Sequence, residues 1–168
     1  MTVLRVLTYP DPLLHQRANA VVEFDDNLGK FLDDLRETMY VYEGIGLAAT
    51  QVGVMKRAVV IDVSPERNSL LELVNPQIIS SDGGLVTCEE GCLSVPDYRE
   101  IVKRDRIVRV VAHNRRGQRI ELEAEGILAR CIQHELDHLE GVLFVDRLSG
   151  LKKQLFRRWF KKRVAAVE

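Results

Sequence analysis

Cysteine is scarce in this 168-residue sequence, and long apolar runs are missing from it. The three thiols, Cys88, Cys92 and Cys131, are odd in number and lack the spacing of a disulfide framework, so we expect them to be free or metal-bound. No run of about 18 apolar residues occurs, which argues against a transmembrane helix. The first residues, MTVLRVLTYPDP, lack the apolar segment of a signal peptide and the Arg/Ser bias of a transit peptide. We therefore expect a cytoplasmic protein without a membrane partner.

An excess of one charge sign is also missing, because the net charge is −1, but the charges are unevenly placed. Residues 151–168 carry seven Lys or Arg against one Glu, a balance of +6, which leaves −7 for the rest of the chain. A basic tail on an acidic body indicates an anionic partner for the tail alone, and we expect no DNA partner. With 46% hydrophobic residues, the chain is long enough for a single domain, residues 1–168, that buries roughly two-thirds of its unfolded surface.

Apolar periodicity predicts three helices. The first begins at Asp25 or Asp26 and ends at Gly44, the second ends at Gly141, and the third follows Ser149. Alternating residues predict short strands over residues 3–7, 57–63, 70–79, 84–87, 104–113 and 118–124, with a turn at 80–83. The expected fold class is α+β, with short antiparallel or mixed strands packed around the central second helix, an N-terminal helix and a basic C-terminal helix over residues 151–168. The apolar face of that last helix is expected to consist of Leu151, Leu155, Phe156, Trp159 and Phe160.

The second helix contains His134, Glu135 and His138 in the pattern H-E-x-x-H. Residues i and i+4 lie on one helix face about 6 Å apart, so the two imidazoles can bind one metal ion beside the carboxylate. Two ordinary helix histidines are the simpler interpretation, but the amphipathic helix and the carboxylate between them favour metal-assisted hydrolysis.

A catalytic metal needs a third protein ligand and an open position. Phe144 occupies the position where a metzincin has its third histidine, and after Asp146 the only acid is Glu168, which leaves a thermolysin-like site without its ligand. Cys131 is three residues before the first histidine, but a set at i, i+3 and i+7 spans about 10 Å along the helix axis, too far for so short a side chain. Cys92, in an irregular stretch after a strand, is the better candidate, and we expect a Cys-His-His site.

The loop GIGLAATQ, from Gly44 to Gln51, permits two interpretations. It fits G-x-G-x-x-A with Asp62 18 residues beyond Gly44, which is formally a dinucleotide-binding pattern. That pattern needs a strand before the loop and a helix after it, whereas here a helical pattern precedes it and a strand follows soon after. Close approach of bare backbone to a ligand, with the Gln51 amide as a hydrogen-bond donor, agrees better with the context.

Three motifs, GIGLAATQ (44–51), EGCLS (90–94) and QHELDHL (133–139), resemble those of peptide deformylase in order and spacing, and the likeness runs along nearly the whole chain. That family removes the formyl group from the N-terminal formylmethionine of nascent bacterial proteins and releases formate. The resemblance implies that Cys92, His134 and His138 hold the metal. It also implies that Glu135 handles protons, and that the Gln51 side-chain amide and the Leu93 backbone N–H bind the oxyanion.

The resemblance further implies an apolar pocket for the methionine side chain. Its expected walls and the backbone beside the peptide are Gly44, Ile45, Gly46, Ile127, Cys131 and His134, and Arg99 is a candidate contact at the rim. Cys88 and Arg130 are expected near this wall, where bacterial relatives often carry aliphatic residues. Their effect on the shape of the pocket is open.

The metal implied by the resemblance is iron(II) in the cell, with zinc, nickel or cobalt able to substitute. The expected partner is the formyl-Met peptide of nascent chains, handled by a monomer, and the basic C-terminal helix is expected either to pack on the body or to contact the ribosome. Two competing hypotheses are a metal-binding module without activity and an endopeptidase. The first predicts bound metal without release of formate, and the second predicts cleavage of internal peptide bonds.

Overall fold

The computed structural model describes residues 1–167 and has an α+β architecture. Within this range the helices are α1 (Asp26–Val41), α2 (Gly126–Leu139) and α3 (Gly150–Val167). The strands are β1 (Gly46–Ala48), β2 (Ala58–Ile61), β3 (Leu71–Cys92), β4 (Val95–His113) and β5 (Arg119–Glu125). They form one antiparallel sheet in chain order, with 3₁₀ turns at Pro12–His15, Ala49–Val52 and Phe144–Arg147. None of the helices in the described range is long and apolar enough to cross a membrane.

Helix α1 begins where the sequence predicts. The Asp25 carboxylate accepts a hydrogen bond from the Leu28 backbone N–H at 3.0 Å and so caps one of the free donors at the helix start. The helix ends at Val41, three residues before the predicted Gly44. Its buried stripe packs against β1 and β2, and the stripe consists of Leu28, Leu32, Leu35, Thr38 and Met39.

The hairpin of β3 and β4 differs most from the prediction. The expected turn at residues 80–83 is wrong, because β3 runs through this region for 22 residues and pairs with the 19 residues of β4. Register shifts on either side of residues 80–82, with positive φ at Gly83 and Gly84, absorb the irregular residues as bulges that do not reverse the chain. The reversal comes instead between Cys92 and Val95, which pair across the hairpin end. The strands are therefore long rather than short at this point.

The predicted strand at residues 3–7 is also wrong. This segment lies outside the five-stranded sheet, and the Leu7 N–H donates to the Gln51 carbonyl at 2.7 Å. Apolar alternation predicts an extended backbone, but it contains no information about whether another strand is available to pair.

One face of helix α2 packs against the sheet, so only its other face is available for a functional site. Its residues Ala129, Ile132 and Leu136 share one core cluster with side chains of β2, β3 and β4. Gln133 adds a polar clamp, because its side-chain amide both accepts from the Asp105 N–H and donates to the Asp105 carbonyl, each at 2.9 Å. The helix is therefore held in register against β4 just before its first histidine.

Helix α3 follows Ser149, whose hydroxyl accepts from the Lys152 N–H at 3.3 Å. The predicted apolar face is only partly correct. Leu151 is 69% exposed and Leu155 47% exposed, whereas Phe156 is buried against two tyrosine rings. The helix packs on the rest of the protein through Phe156, Trp159 and Phe160, which lie within one helical turn. An amphipathic pattern thus predicts which side of the helix packs, but it does not predict how much of the helix length is in contact.

Candidate metal centre

Two histidines of α2 face the hairpin end across a short gap. The His134 and His138 rings lie one turn apart with their centroids 5.0 Å from each other. His138 is 1% exposed. Imidazoles in this arrangement present two nitrogen donors to one point in space.

The hairpin end supplies the thiol. The Cys92 Sγ lies 3.3 Å from the His138 Nε2, and the donor atoms of Cys92, His134 and His138 all lie within 4.8 Å of one another. Tetrahedral geometry with a metal–sulfur bond of about 2.3 Å and a metal–nitrogen bond of about 2.0 Å places those two atoms roughly 3.5 Å apart. The three side chains could therefore hold one metal ion.

A buried ion-pair network supports His134 from behind, and sequence reasoning missed it. The Glu90 carboxylate lies 2.7 Å from the His134 Nδ1 and accepts from the Arg104 Nε at 2.7 Å, and Arg104 also donates to Asp137 at 2.7 Å. Arg104 is only 3% exposed. A His Nδ1–H that donates to a carboxylate leaves Nε2 as the metal-binding nitrogen and raises its basicity. A signal in the sequence was Arg104 itself, a charged residue at an inward position of an alternating strand.

The charge of Glu90 is maintained by its partners. Burial alone would raise its pKa, but the hydrogen bonds from Arg104 and His134 outweigh it and hold the pKa of Glu90 at about 2. A permanent carboxylate is thus available to orient the histidine.

Glu135 has the opposite environment. It is 2% exposed, and its Oε2 has no hydrogen-bond partner among the described residues. Burial raises the pKa of Glu135 to about 7, with the ionised Glu90 as a further contribution in the same direction. Gly46 leaves space for this carboxylate, because a Cβ on Gly46 would lie 2.9 Å from Oε2 and 2.8 Å from the Cys131 Sγ. A buried carboxyl group with an unused oxygen is suited to proton transfer.

The Gln51 amide is locked in one orientation. Its Oε1 accepts from the Ala48 N–H at 2.9 Å, which leaves its Nε2 to donate to the Ser94 hydroxyl at 3.1 Å, with the Cys92 Sγ 3.6 Å away. The amide N–H group thus lies beside the thiol of the three-residue cluster. Leu93, the other predicted oxyanion donor, lies between that thiol and Ser94 at the hairpin end.

One cavity of about 750 Å³ joins these groups, and its size is within the usual range for ligand pockets. Of the site residues predicted from the sequence, only His138 does not line this cavity. The predicted residues that line it are Gly44, Ile45, Gly46, Gln51, Cys92, Leu93, Arg99, Ile127, Cys131, His134 and Glu135.

The residues expected near the pocket wall or at its rim differ in their surroundings. Arg130 lines the cavity, whereas Cys88 belongs to a separate core cluster with its Sγ 3.5 Å from Glu90. Arg99 lies at the rim, 62% exposed, and pairs with Glu89 at 2.8 Å. The pocket wall is thus affected by Arg130 and not by Cys88.

Comparison with known proteins shows a likeness to one family along nearly the whole chain. Residues 3–154 match the family model described as polypeptide deformylase. The chain is 47% identical over 163 residues to a peptide deformylase of Thermodesulfovibrio yellowstonii, with 96% of this chain and 98% of that protein covered. It is 51% identical over 168 residues to the peptide deformylase of Pseudoalteromonas translucida, with both chains fully covered.

Solved structures show the same likeness. The crystal structure of a peptide deformylase from Legionella pneumophila superposes with a TM-score of 0.91 at 43% identity, covering 99% of each chain. A peptide deformylase from Ehrlichia chaffeensis in complex with actinonin superposes with a TM-score of 0.90 at 37% identity, covering 97% of this chain and 98% of that one.

Proposed function

The chain belongs to the polypeptide deformylase family, whose members remove the formyl group from N-terminal formylmethionine, and we propose that it does so at the centre formed by Cys92, His134 and His138. The observation that carries this proposal is that three potential metal-binding atoms lie within 4.8 Å of one another, next to the buried Glu135 carboxylate that lines the cavity. In this proposal α2 is the central element of the site, and residues 1–168 act as a single catalytic domain.

Cys92, His134 and His138 are the proposed ligands of one divalent ion. A thiolate with two imidazoles suits zinc, iron, nickel or cobalt, and we assign iron(II) in the cell with the others as substitutes. Such an ion would supply Lewis acidity, which makes hydroxide available from water at neutral pH. Glu90 keeps His134 in the tautomer that presents Nε2, because it accepts the proton on Nδ1.

Glu135 carries the proton in this mechanism. Its free oxygen accepts a proton from the attacking water, and the resulting carboxylic acid then protonates the leaving amine. Burial raises the pKa of Glu135, so its protonated form is less unfavourable than that of an exposed carboxylate, which suits a group that takes up a proton and then gives it away. The products are formate and a free N-terminal amine.

The oxyanion formed at the formyl carbon is bound by the Gln51 Nε2 and the Leu93 N–H. Support for Gln51 comes from its fixed orientation, since the Ala48 N–H holds Oε1 and turns Nε2 toward the Cys92 side. A donor held in place before reaction costs no reorganisation when charge develops, and each such donor typically contributes about 10² to 10³ in rate.

The methionine side chain occupies the apolar end of the cavity beside Ile127, Cys131 and the Ile45 carbonyl, to which the Cys131 thiol donates at 3.6 Å. The backbone of Gly44, Ile45 and Gly46 runs beside the peptide. Arg99 contacts it at the rim. Methionine suits such a pocket because its flexible thioether adapts to irregular apolar walls.

Further parts of the proposal concern the setting of the reaction. The enzyme acts as a monomer in the cytoplasm on nascent chains, and the basic surface of α3 contacts the ribosome. Lys and Arg on the exposed side of α3 support this contact, which should weaken steeply with salt if phosphates are bound.

The test is release of formate from a formyl-Met tripeptide by enzyme prepared without oxygen, together with metal analysis. Glu135→Ala should lower kcat by about 10² to 10⁴ with its metal content unchanged, whereas the exposed control Glu123→Ala should behave as the parent. Equal turnover by parent and Glu135→Ala would refute the role of Glu135. Metal without formate release would favour the inactive module, and cleavage of internal peptide bonds would favour an endopeptidase.

A further inference from the structure

A second cavity of about 380 Å³ lies between α3 and the start of β4. Its walls are largely aromatic and aliphatic, and we call it the α3 groove, defined by Tyr9, Pro96, Trp159, Phe160 and Val164. Its volume is within the range of pockets that bind ligands. No step of the proposed deformylation uses it.

The α3 groove is continuous with the substrate cavity. Thr8, Val95 and Pro96 line both cavities, so one wall passes from the metal centre into the groove. This shared wall begins directly at the site, because Val95 pairs with the metal-ligand candidate Cys92 at the hairpin end.

The direction of the substrate determines what can reach the groove. The formyl group blocks the N-terminus and must lie at Glu135, so the rest of the peptide can extend only toward its C-terminus. Pro96 follows Val95, which pairs with Cys92 across the hairpin end, so the Cα atoms of Cys92 and Pro96 lie no more than about 9 Å apart. An extended peptide advances about 3.3 Å per residue, so about three residues reach Pro96 and later residues can lie along the groove walls beyond it.

An ion pair joins the two cavities at their border. Asp97, which lines the substrate cavity, accepts from Arg163 of the α3 groove at 2.7 Å, and the Arg163 guanidinium lies 5.3 Å from the centre of the Trp159 ring. Asp97 has φ +65°, a left-handed conformation in which Asp is enriched among residues other than glycine.

We propose that the α3 groove is a subsite for the nascent chain, in which apolar side chains at about the fifth to seventh residue after the formyl group pack against Trp159 and Val164. This inference rests on the proposed deformylase function. It adds a preference for long substrates with apolar residues at those positions, beyond recognition of formylmethionine itself.

The first test compares two formyl-Met peptides on the metal-loaded enzyme, one of three residues and one of eight with leucine at positions five to seven. The longer peptide should have a KM about three- to tenfold lower at the same kcat, because burial of an apolar side chain contributes binding that is equal in ground and transition states. An eight-residue peptide with serine at those positions should behave as the short one. Turnover of the tripeptide tests the deformylase function separately.

A pair of variants locates the effect. Val164→Glu places a carboxylate in the α3 groove at a side chain that is already 39% exposed, so folding should be unaffected. Leu151→Glu adds the same charge to an exposed position of α3 outside the groove. In Val164→Glu the leucine peptide should no longer have a lower KM than the serine peptide, whereas in Leu151→Glu the difference in KM should remain.

Trp159 gives a readout that does not depend on turnover, because it is the only tryptophan in the chain. Binding of the leucine peptide to the Glu135→Gln variant should change the emission of Trp159, and binding of the tripeptide should not. Equal KM values for the leucine and serine peptides, an advantage that survives Val164→Glu, or unchanged emission would each overturn the proposal. So would a dimer that Val164→Glu dissociates, since a second copy would then occupy the groove.

Discussion

Replacement of Glu90 by glutamine is the sharpest perturbation of the candidate metal centre that leaves every proposed ligand in place. Glu90 is 9% exposed and accepts from the Arg104 Nε and Nη2 at 2.7 and 2.8 Å while holding the His134 Nδ1 at 2.7 Å. A glutamine has the same shape, but its NH₂ group faces donors instead of accepting from them. Arg104 then keeps only Asp137 as a charged partner.

Two magnitudes follow for Glu90→Gln. Loss of one partner from a buried ion pair lowers the free energy of unfolding by about 3 to 5 kcal/mol. Because Arg104 keeps its pair with Asp137, we expect a decrease near the lower end, about 3 kcal/mol. For a chain of this size that corresponds to a Tm about 6 to 12 °C lower, measured on the metal-free protein. Loss of the carboxylate behind His134 should weaken metal binding about 10- to 100-fold, measured by competition with a chelator.

The control is Glu123→Gln, which removes an exposed pair with Arg109 and should change the stability by less than about 1 kcal/mol and the metal affinity not at all. If Glu90→Gln binds metal as tightly as the parent and has the same Tm as the control variant, the network neither orients His134 nor stabilises the hairpin end. The assignment of Glu90 as the group that orients the histidine would then be wrong.

Three further predictions concern single residues of the site. Cys92→Ser should lose most of its bound metal in elemental analysis, whereas Cys131→Ser should keep it, and the reverse result would reassign the third ligand. Gln51→Ala should lower kcat for a formyl-Met tripeptide by about 10² to 10³ with metal content unchanged, because one oxyanion donor is lost; an unchanged kcat would contradict that role. Gly46→Ala places a Cβ 2.9 Å from Glu135 and 2.8 Å from Cys131, so it should reduce turnover of the same peptide without loss of metal, and parent-like turnover would show that the pocket can relax.

Much of the candidate site is predictable from spacing along the chain. The i, i+4 histidines, the lack of a downstream ligand at Phe144 and the unsuitable helix position of Cys131 together indicate Cys92 as the third ligand. The structure brings the Cys92 Sγ to within 3.3 Å of the His138 Nε2, and their role as metal ligands stays a prediction for the metal analysis. The family indicated by three short motifs is confirmed by the match over residues 3–154.

Other features depend on partners that are distant in sequence. Glu90 meets Arg104 across the hairpin and His134 from another element, and no short motif records that three-way contact. β3 is longer than predicted because it pairs with β4 over most of its length, and residues 3–7 are not a strand because they do not pair with the sheet. Apolar alternation alone does not determine which segments pair.

The sequence by itself determined the features that arise within a few residues: the cap of α1 at Asp25, the periodicity of α2, and the set of His134, Glu135 and His138 on one helix turn. These depend on backbone hydrogen bonds and side-chain spacing over about four positions, so they can be predicted from local sequence. Only the tertiary structure decided that Glu90 and Arg104 lie behind His134, that α3 packs through Phe156 and leaves Leu151 exposed, and that the α3 groove shares a wall with the larger cavity. Those contacts join separate elements, and their free energy comes from burial that exists only when all of them are assembled.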